Sequence, residues 1–116
     1  MPDAVLVVFS EPTEGAEDDY NDWYNQHLTE VLDIPGFVAA QRFRVAEGAQ
    51  LDGFPPPQRR YLALYEIDGE PADPIKILLE RVHGGEIVLP PSIQVDSIQA
   101  WCYSPIADRV TEVPVT

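Results

Sequence analysis

Arg60-Tyr61-Leu62-Ala63-Leu64-Tyr65-Glu66-Ile67 is the stretch on which the fold turns. Read as a strand, it puts Tyr61, Ala63, Tyr65 and Ile67 on one side and Leu62 and Leu64 on the other. Both sides are then apolar or aromatic. Upstream, Ala4-Val5-Leu6-Val7-Val8-Phe9 repeats the pattern, with Val5, Val7 and Phe9 alternating with Leu6 and Val8. It reads as a first strand buried on both faces and ended by Ser10-Glu11-Pro12. Between these two runs, residues 17–32 have helical spacing, with acidic residues at 14–19 suited to the positive end of the helix dipole. Pro35-Gly36 stops that helix, and residues 37–45 read as a second strand. Residues 48–58, with Pro55-Pro56-Pro57, form a loop without regular structure.

Beyond the third strand, Gly69-Glu70-Pro71 turns the chain. Asp73 or Pro74 opens a second helix that runs to about His83, and Gly84-Gly85 closes it. Residues 86–96 read two ways: Ile87-Val88-Leu89 suits a short edge strand, while Pro90-Pro91 forbids a central one. Residues 98–103 form the last strand, and 104–116 a tail suited to packing on a partner. The order strand, helix, strand, strand, helix, strand is the split βαβ pattern of an α+β, ferredoxin-like domain spanning 1–116. A four-stranded antiparallel sheet is expected, with both helices on one face. The bare face would carry a large apolar patch, and a second copy's sheet is the simplest cover, so a homodimer is expected.

Twenty acidic residues against seven Lys and Arg give a net charge of −13. A phosphate backbone or an anionic membrane would be repelled, so neither nucleic acid nor membrane is expected as a partner. Apolar runs are far shorter than the roughly 18 residues of a membrane span. Met1-Pro2-Asp3 lacks the basic start of a signal peptide, which makes the cytoplasm the expected location. Cys102 is the single cysteine and sits between Trp101 and Tyr103, where a core thiol is expected. His27 and His83 lack any metal-ligand spacing, and no calcium loop, phosphate loop or nucleophile elbow is present. No metal and no cofactor are expected.

At about 100° per residue, Tyr20, Trp23, Tyr24, His27, Val31 and Ile34 share one side of the first helix. His27 therefore sits among three aromatic side chains on the face that packs on the sheet. The plainer reading is a core histidine bonded to a tyrosine or a carbonyl. Against it, Tyr and Trp carry polar groups that suit a half-polar cavity better than a dry core. Histidine is also the side chain best placed to exchange protons near neutral pH.

Trp23-Tyr24-Asn25-Gln26-His27, with Ile34-Pro35-Gly36-Phe37 and Arg42-Phe43, resembles the EthD-like branch of the dimeric α/β barrel superfamily. Leu28-Thr29 departs from that pattern, where many relatives place a proline soon after the histidine. The resemblance implies a barrel built from two facing sheets and a small-molecule pocket between helices and sheet in each subunit. The wider superfamily includes isomerases, polyketide cyclases, dehydratases, cofactor-free monooxygenases and heme enzymes, so the resemblance implies a small-molecule pocket more than any one reaction, and heme by family analogy alone. The first expectation is an isomerase, cyclase or dehydratase/lyase acting without cofactor on an aromatic or alicyclic carbonyl compound. A cofactor-free monooxygenase acting on a phenol, or a non-catalytic binding dimer, is the alternative. In the enzymatic reading His27 moves a proton and Tyr24 or Tyr65 hydrogen-bonds an oxyanion or carbonyl. Tyr20, Trp23 and Trp101 would line the pocket, and Arg42 or Arg44 would hold a carboxylate. Glu30, one turn beyond His27, is placed to orient it.

Overall fold

The computed structural model describes residues 1–113. Its elements are β1 (Ala4–Ser10), α1 (Glu17–Leu32), β2 (Phe37–Arg44), β3 (Tyr61–Ile67), α2 (Ala72–His83) and β4 (Gln99–Tyr103), with one 3₁₀ turn at Val95–Ser97. The strands form one sheet in the order β2-β3-β1-β4, antiparallel throughout. Both helices lie over one face. This is the split βαβ arrangement that the alternation of β3 and the order of the elements predict.

Register sorts the side chains. Leu6 pairs with Tyr65 on one side and with Cys102 on the other, and Val8 pairs with Ala63 and Ala100. These residues, with Ala4, Ser10, Tyr61, Ile67 and Arg42, form the face beneath the helices. Ala4, Leu6, Tyr61, Ala63, Tyr65 and Ile67 are buried there against Tyr20, Tyr24, Val31 and Ile34. The opposite face carries Val5, Val7 and Phe9 from β1, Leu62 and Leu64 from β3, Phe43 from β2, and Trp101 and Tyr103 from β4. Phe43, Trp101 and Tyr103 are exposed, and Phe9 meets Trp101 edge to face at 6.4 Å. Within one chain β1 is therefore buried on its helix side alone. The expectation of burial on both faces is not met within one chain, because the described residues place no second layer on the other face.

The ends of α1 follow local chemistry. Glu17, Asp18 and Asp19 occupy its first turn, where negative charge opposes the exposed backbone amides. Gly36 then turns the chain into β2 with φ +108°, a conformation that side chains resist. A Cβ on Gly36 would meet Pro74 carbons at 3.0 Å, so the same glycine lets the start of α2 approach. The segment 86–94 contains no strand, which corrects the edge-strand reading of Ile87-Val88-Leu89. The Glu86 and Ile87 amides both donate to the Arg81 carbonyl, wrapping the chain around the end of α2. Pro90 and Pro91 then supply no donors. Ile93 bridges to Pro12, and the Thr13 amide donates to Ser92 O at 2.7 Å, which pins this segment beside α1. After β4, the described part of the tail is exposed, with Ile106, Val110 and Val113 all open to solvent.

Candidate functional site

The apolar faces of α1, α2 and the sheet do not close on one another. They enclose a cavity of about 380 Å³. Trp23, Tyr24, His27 and Val31 form its α1 wall, and Ile75, Leu78, Leu79 and Val82 its α2 wall. Leu6, Val8, Tyr65, Ile98, Ala100 and Cys102 make the floor, and Leu89 and Ile93 come from the segment after α2. In α2 only Pro74 is buried, and Ile75, Leu78, Leu79 and Val82 face this space and not a filled core. The i, i+3, i+4, i+7 spacing of Ile75, Leu78, Leu79 and Val82 carried that signal in the sequence, although none of them was singled out there.

His27 stands at the polar point of the wall. Its ring stacks on Trp23 at 4.5 Å with 13° between planes, and meets the Tyr24 ring edge-on at 5.6 Å. Nδ1 lies 3.3 Å from Glu30 Oε1, one turn along α1. Glu30 itself lines a polar surface depression with Thr29, Asp33, Arg81 and Glu86. The imidazole thus spans two environments. Nδ1 faces a solvated carboxylate, and Nε2 is the nitrogen left for the cavity, with no hydrogen bond among the described residues. Burial lowers the His27 pKa from the usual 6.5, while the Glu30 carboxylate works against that shift. Near neutral pH the ring is uncharged, and a Nδ1–H donated to Glu30 leaves the Nε2 lone pair toward the cavity.

Four tyrosines pack together, and their hydroxyls have different fates. Tyr20 Oη shares a 2.6 Å hydrogen bond with Ser10 Oγ, and Tyr61 Oη donates to Glu17. Tyr24 lines the cavity, and burial pushes its phenol up to about 12. Tyr65 is 1 % exposed, and its Oη has no hydrogen-bond partner among the described residues. Burial and the neighbouring Tyr24 phenol both push Tyr65 up, so it stays a protonated donor at any working pH. An unpartnered buried hydroxyl costs roughly 1–3 kcal/mol.

Of the residues expected at the site, His27, Tyr24, Trp23 and Tyr65 come together on the cavity. Tyr20 does not: it is fully buried behind Tyr24. Arg42 lies on the helix side of the sheet but beyond the tyrosines. Its guanidinium covers the rings of Tyr24 at 4.8 Å, Tyr20 at 5.5 Å and Tyr61 at 5.7 Å, and donates to Asn21 Oδ1 and Asn25 Oδ1. Arg44 is exposed further along β2. Trp101 is placed on the opposite face of the sheet, because its neighbours Ala100 and Cys102 point to the helices. Cys102 is exposed, which corrects the expectation of a core thiol. β4 is an edge strand, and neither α2 nor the segment after it covers that end. Among the described residues, no group of three His, Cys, Asp or Glu side chains is placed to hold a metal. No helix among them is long and apolar enough to cross a membrane.

No protein-family model matches the chain, and no curated protein matches it either. Solved structures do. The heme-degrader MhuD from Mycobacterium tuberculosis, with two hemes bound in its active site, aligns with a TM-score of 0.59 at 15% identity, over 92% of this chain and 99% of that one. A mutant of MhuD with two manganese protoporphyrin IX bound per active site gives 0.60 at 15% identity, over 93% and 99%. The heme-free MhuD gives 0.57 at 14% identity, over 93% and 96%. The fold is ferredoxin-like. At this identity the likeness carries the ferredoxin-like architecture over nearly the whole chain. It does not extend to the EthD-like branch, which rests on the α1 motif.

Proposed function

We propose that this ferredoxin-like protein is a small-molecule enzyme that works without a cofactor, with His27 moving a proton on an aromatic or alicyclic carbonyl compound in the cavity. The observation that carries the reading is the division of the His27 ring, with Nδ1 toward Glu30 and Nε2 toward an apolar cavity. A base poised in this way takes a proton from the carbon next to a carbonyl, and the electron pair moves onto the carbonyl oxygen as an enolate. Tyr65 or Tyr24 donates a hydrogen bond to that oxygen, and the imidazolium returns the proton at the same or another carbon. Isomerisation, cyclisation and elimination are all built on that step. Trp23 and the α2 side chains supply the apolar contacts that hold the ligand and exclude water.

Heme is the ligand carried by the structural neighbours, and the residues present do not fit it. His27 Nε2 is a chemically suitable axial donor with a carboxylate behind it. The cavity, however, is at the small end of ligand pockets and suits one or two rings, not a tetrapyrrole. No Lys or Arg lines it to pair with the two carboxylates of a heme.

A homodimer belongs to the same proposal. Phe43, Trp101 and Tyr103 stand exposed on one sheet face beside Val7 and Leu64, and Ile106 and Val110 extend from the tail beyond it. A second copy laid sheet to sheet covers that face as in a dimeric α/β barrel.

Thermal shifts of the wild type and of His27→Ala against phenols, quinones, lactones and cyclic ketones test the reading. One compound class should stabilise the wild type, and a folded His27→Ala should lose or change that response. If no compound shifts the wild type and His27→Ala melts far lower, His27 is a core residue and the enzymatic reading fails.

A further inference from the structure

We infer that a depression between α1 and the free edge of β2 binds a small organic carboxylate on Arg42 and Arg44, apart from the cavity and independently of the enzymatic reading. Asn21, Arg42, Phe43, Arg44 and Tyr61 border it, and its volume is about 320 Å³. Neither arginine borders the cavity, and the rings of Tyr20 and Tyr24 lie between Arg42 and that space. β2 is an edge strand, so no further strand covers this side. Arg42 and Arg44 pair with Ala63 and Tyr61 and are two residues apart, which sends both side chains to the helix face.

The positive charge here is left without a partner, in a chain where acidic side chains outnumber Lys and Arg by twenty to seven. Arg60 pairs with Glu11 and Glu17, and Arg81 with Asp33 and Glu86. Arg42 and Arg44 pair with no carboxylate among the described residues, and no carboxylate borders the depression. Amides hold Arg42 instead. Its Nη1 donates to Asn25 Oδ1 at 3.0 Å and to the Asn21 carbonyl at 3.4 Å, and its Nη2 donates to Asn21 Oδ1 at 2.7 Å. A guanidinium has five N–H groups, so Nε–H and one N–H of Nη2 remain for a ligand. Asn21 and Asn25, one turn apart on α1, thus fix the group without cancelling its charge, which aspartates in their place would do.

The class of ligand follows from these groups. Two donors left on one planar guanidinium match the two oxygens of a carboxylate, and Arg44, exposed beside it, is free to close on them. An uncharged ligand gains no charge-assisted hydrogen bond. A phosphate dianion gains one, but carries twice the charge into the field of a chain of net charge −13. A single carboxylate takes the bond at half that repulsion.

Titration calorimetry of the full chain at low salt with benzoate, benzyl alcohol and inorganic phosphate tests this. The wild type should bind benzoate about ten-fold more tightly than either of the others, the worth of charge-assisted hydrogen bonds. Arg44→Ala should weaken benzoate about ten-fold. Lys76→Ala removes the same charge from an exposed position on α2 and should change the affinity by less than about two-fold. Asn21→Asp keeps an acceptor for Nη2 but sets a carboxylate on Arg42, and should weaken benzoate about as much as Arg44→Ala. Benzoate bound no more tightly than benzyl alcohol, phosphate bound as tightly as benzoate, equal losses in Arg44→Ala and Lys76→Ala, or undiminished binding in Asn21→Asp overturns the inference. So does a dimer that Arg44→Ala dissociates in sedimentation while the wild type binds no benzoate, since a carboxylate of the second copy would then fill the site.

Discussion

Replacing Tyr65 with Phe removes one oxygen from the core, and the structure sets the sign of the effect. Tyr65 Oη is buried and bonds to no protein atom among the described residues, so its removal breaks no hydrogen bond and relieves a desolvated donor. The ring keeps its place against Phe37, 5.9 Å away edge to face. The expected change in ligand-free stability lies between zero and about 1 kcal/mol of gain. Tyr20→Phe is the matched control. It breaks the 2.6 Å bond to Ser10 Oγ and strands a hydroxyl that is itself 1 % exposed, which costs about 1–3 kcal/mol. The two variants delete the same atom type from the same core, yet should differ by about 2 kcal/mol in opposite directions from wild type. Urea unfolding at fixed protomer concentration reads the difference, and with a slope of about 1.5 kcal/mol per molar the midpoints separate by about 1 M. Equal destabilisation by both variants would refute the claim that Tyr65 Oη lacks a protein partner.

Other perturbations have equally definite outcomes. By NMR, His27 should titrate below the usual 6.5, and Glu30→Gln should lower it further, because the carboxylate is the group that opposes the effect of burial. Since the folded value lies below the unfolded one, this histidine costs stability as pH falls through about 6.5, and His27→Asn should flatten the urea-midpoint change between about pH 7.5 and 5.5. Gly36→Ala should cost more than about 1 kcal/mol in urea unfolding, since φ is +108° and the new Cβ meets Pro74. Trp101→Glu should convert the proposed dimer into a monomer in sedimentation analysis while leaving ligand binding in the cavity in place, because Trp101 lies on the face away from the cavity. Salt should tighten the proposed dimer, as two copies of charge −13 repel one another at low ionic strength.

The element order was legible because each signal was local. The alternation in 61–67, the acidic start and Pro-Gly stop of α1, and the double glycine after α2 all act within a few residues. The segment 86–94 was not, because its course is set by remote partners: the Arg81 carbonyl, Pro12 and Thr13. The site was half legible. Helical spacing alone puts Trp23, Tyr24 and His27 on one face, and β3 parity puts Tyr65 beneath them. Tyr20 shares that face, yet α1 packs so that this turn is sealed by Ser10 and Tyr61, which periodicity does not record. Arg42 has the right parity too, but β2 is the far edge of the sheet and the cavity opens at β4. Trp101 and Cys102 exchange roles by one position: a strand's parity is fixed only once its pairing register with β1 is known.

Solvent exchange at carbon tests the central claim most directly. The α-protons of 1-tetralone in D₂O, followed by proton NMR with the wild type and with a folded His27→Asn variant, report proton transfer without knowledge of the natural substrate. The account predicts deuterium incorporation at least about 100-fold faster than in buffer alone, falling to the buffer rate in His27→Asn. Exchange no faster than buffer, or as fast without the imidazole as with it, would contradict the assignment of His27 as the group that moves the proton.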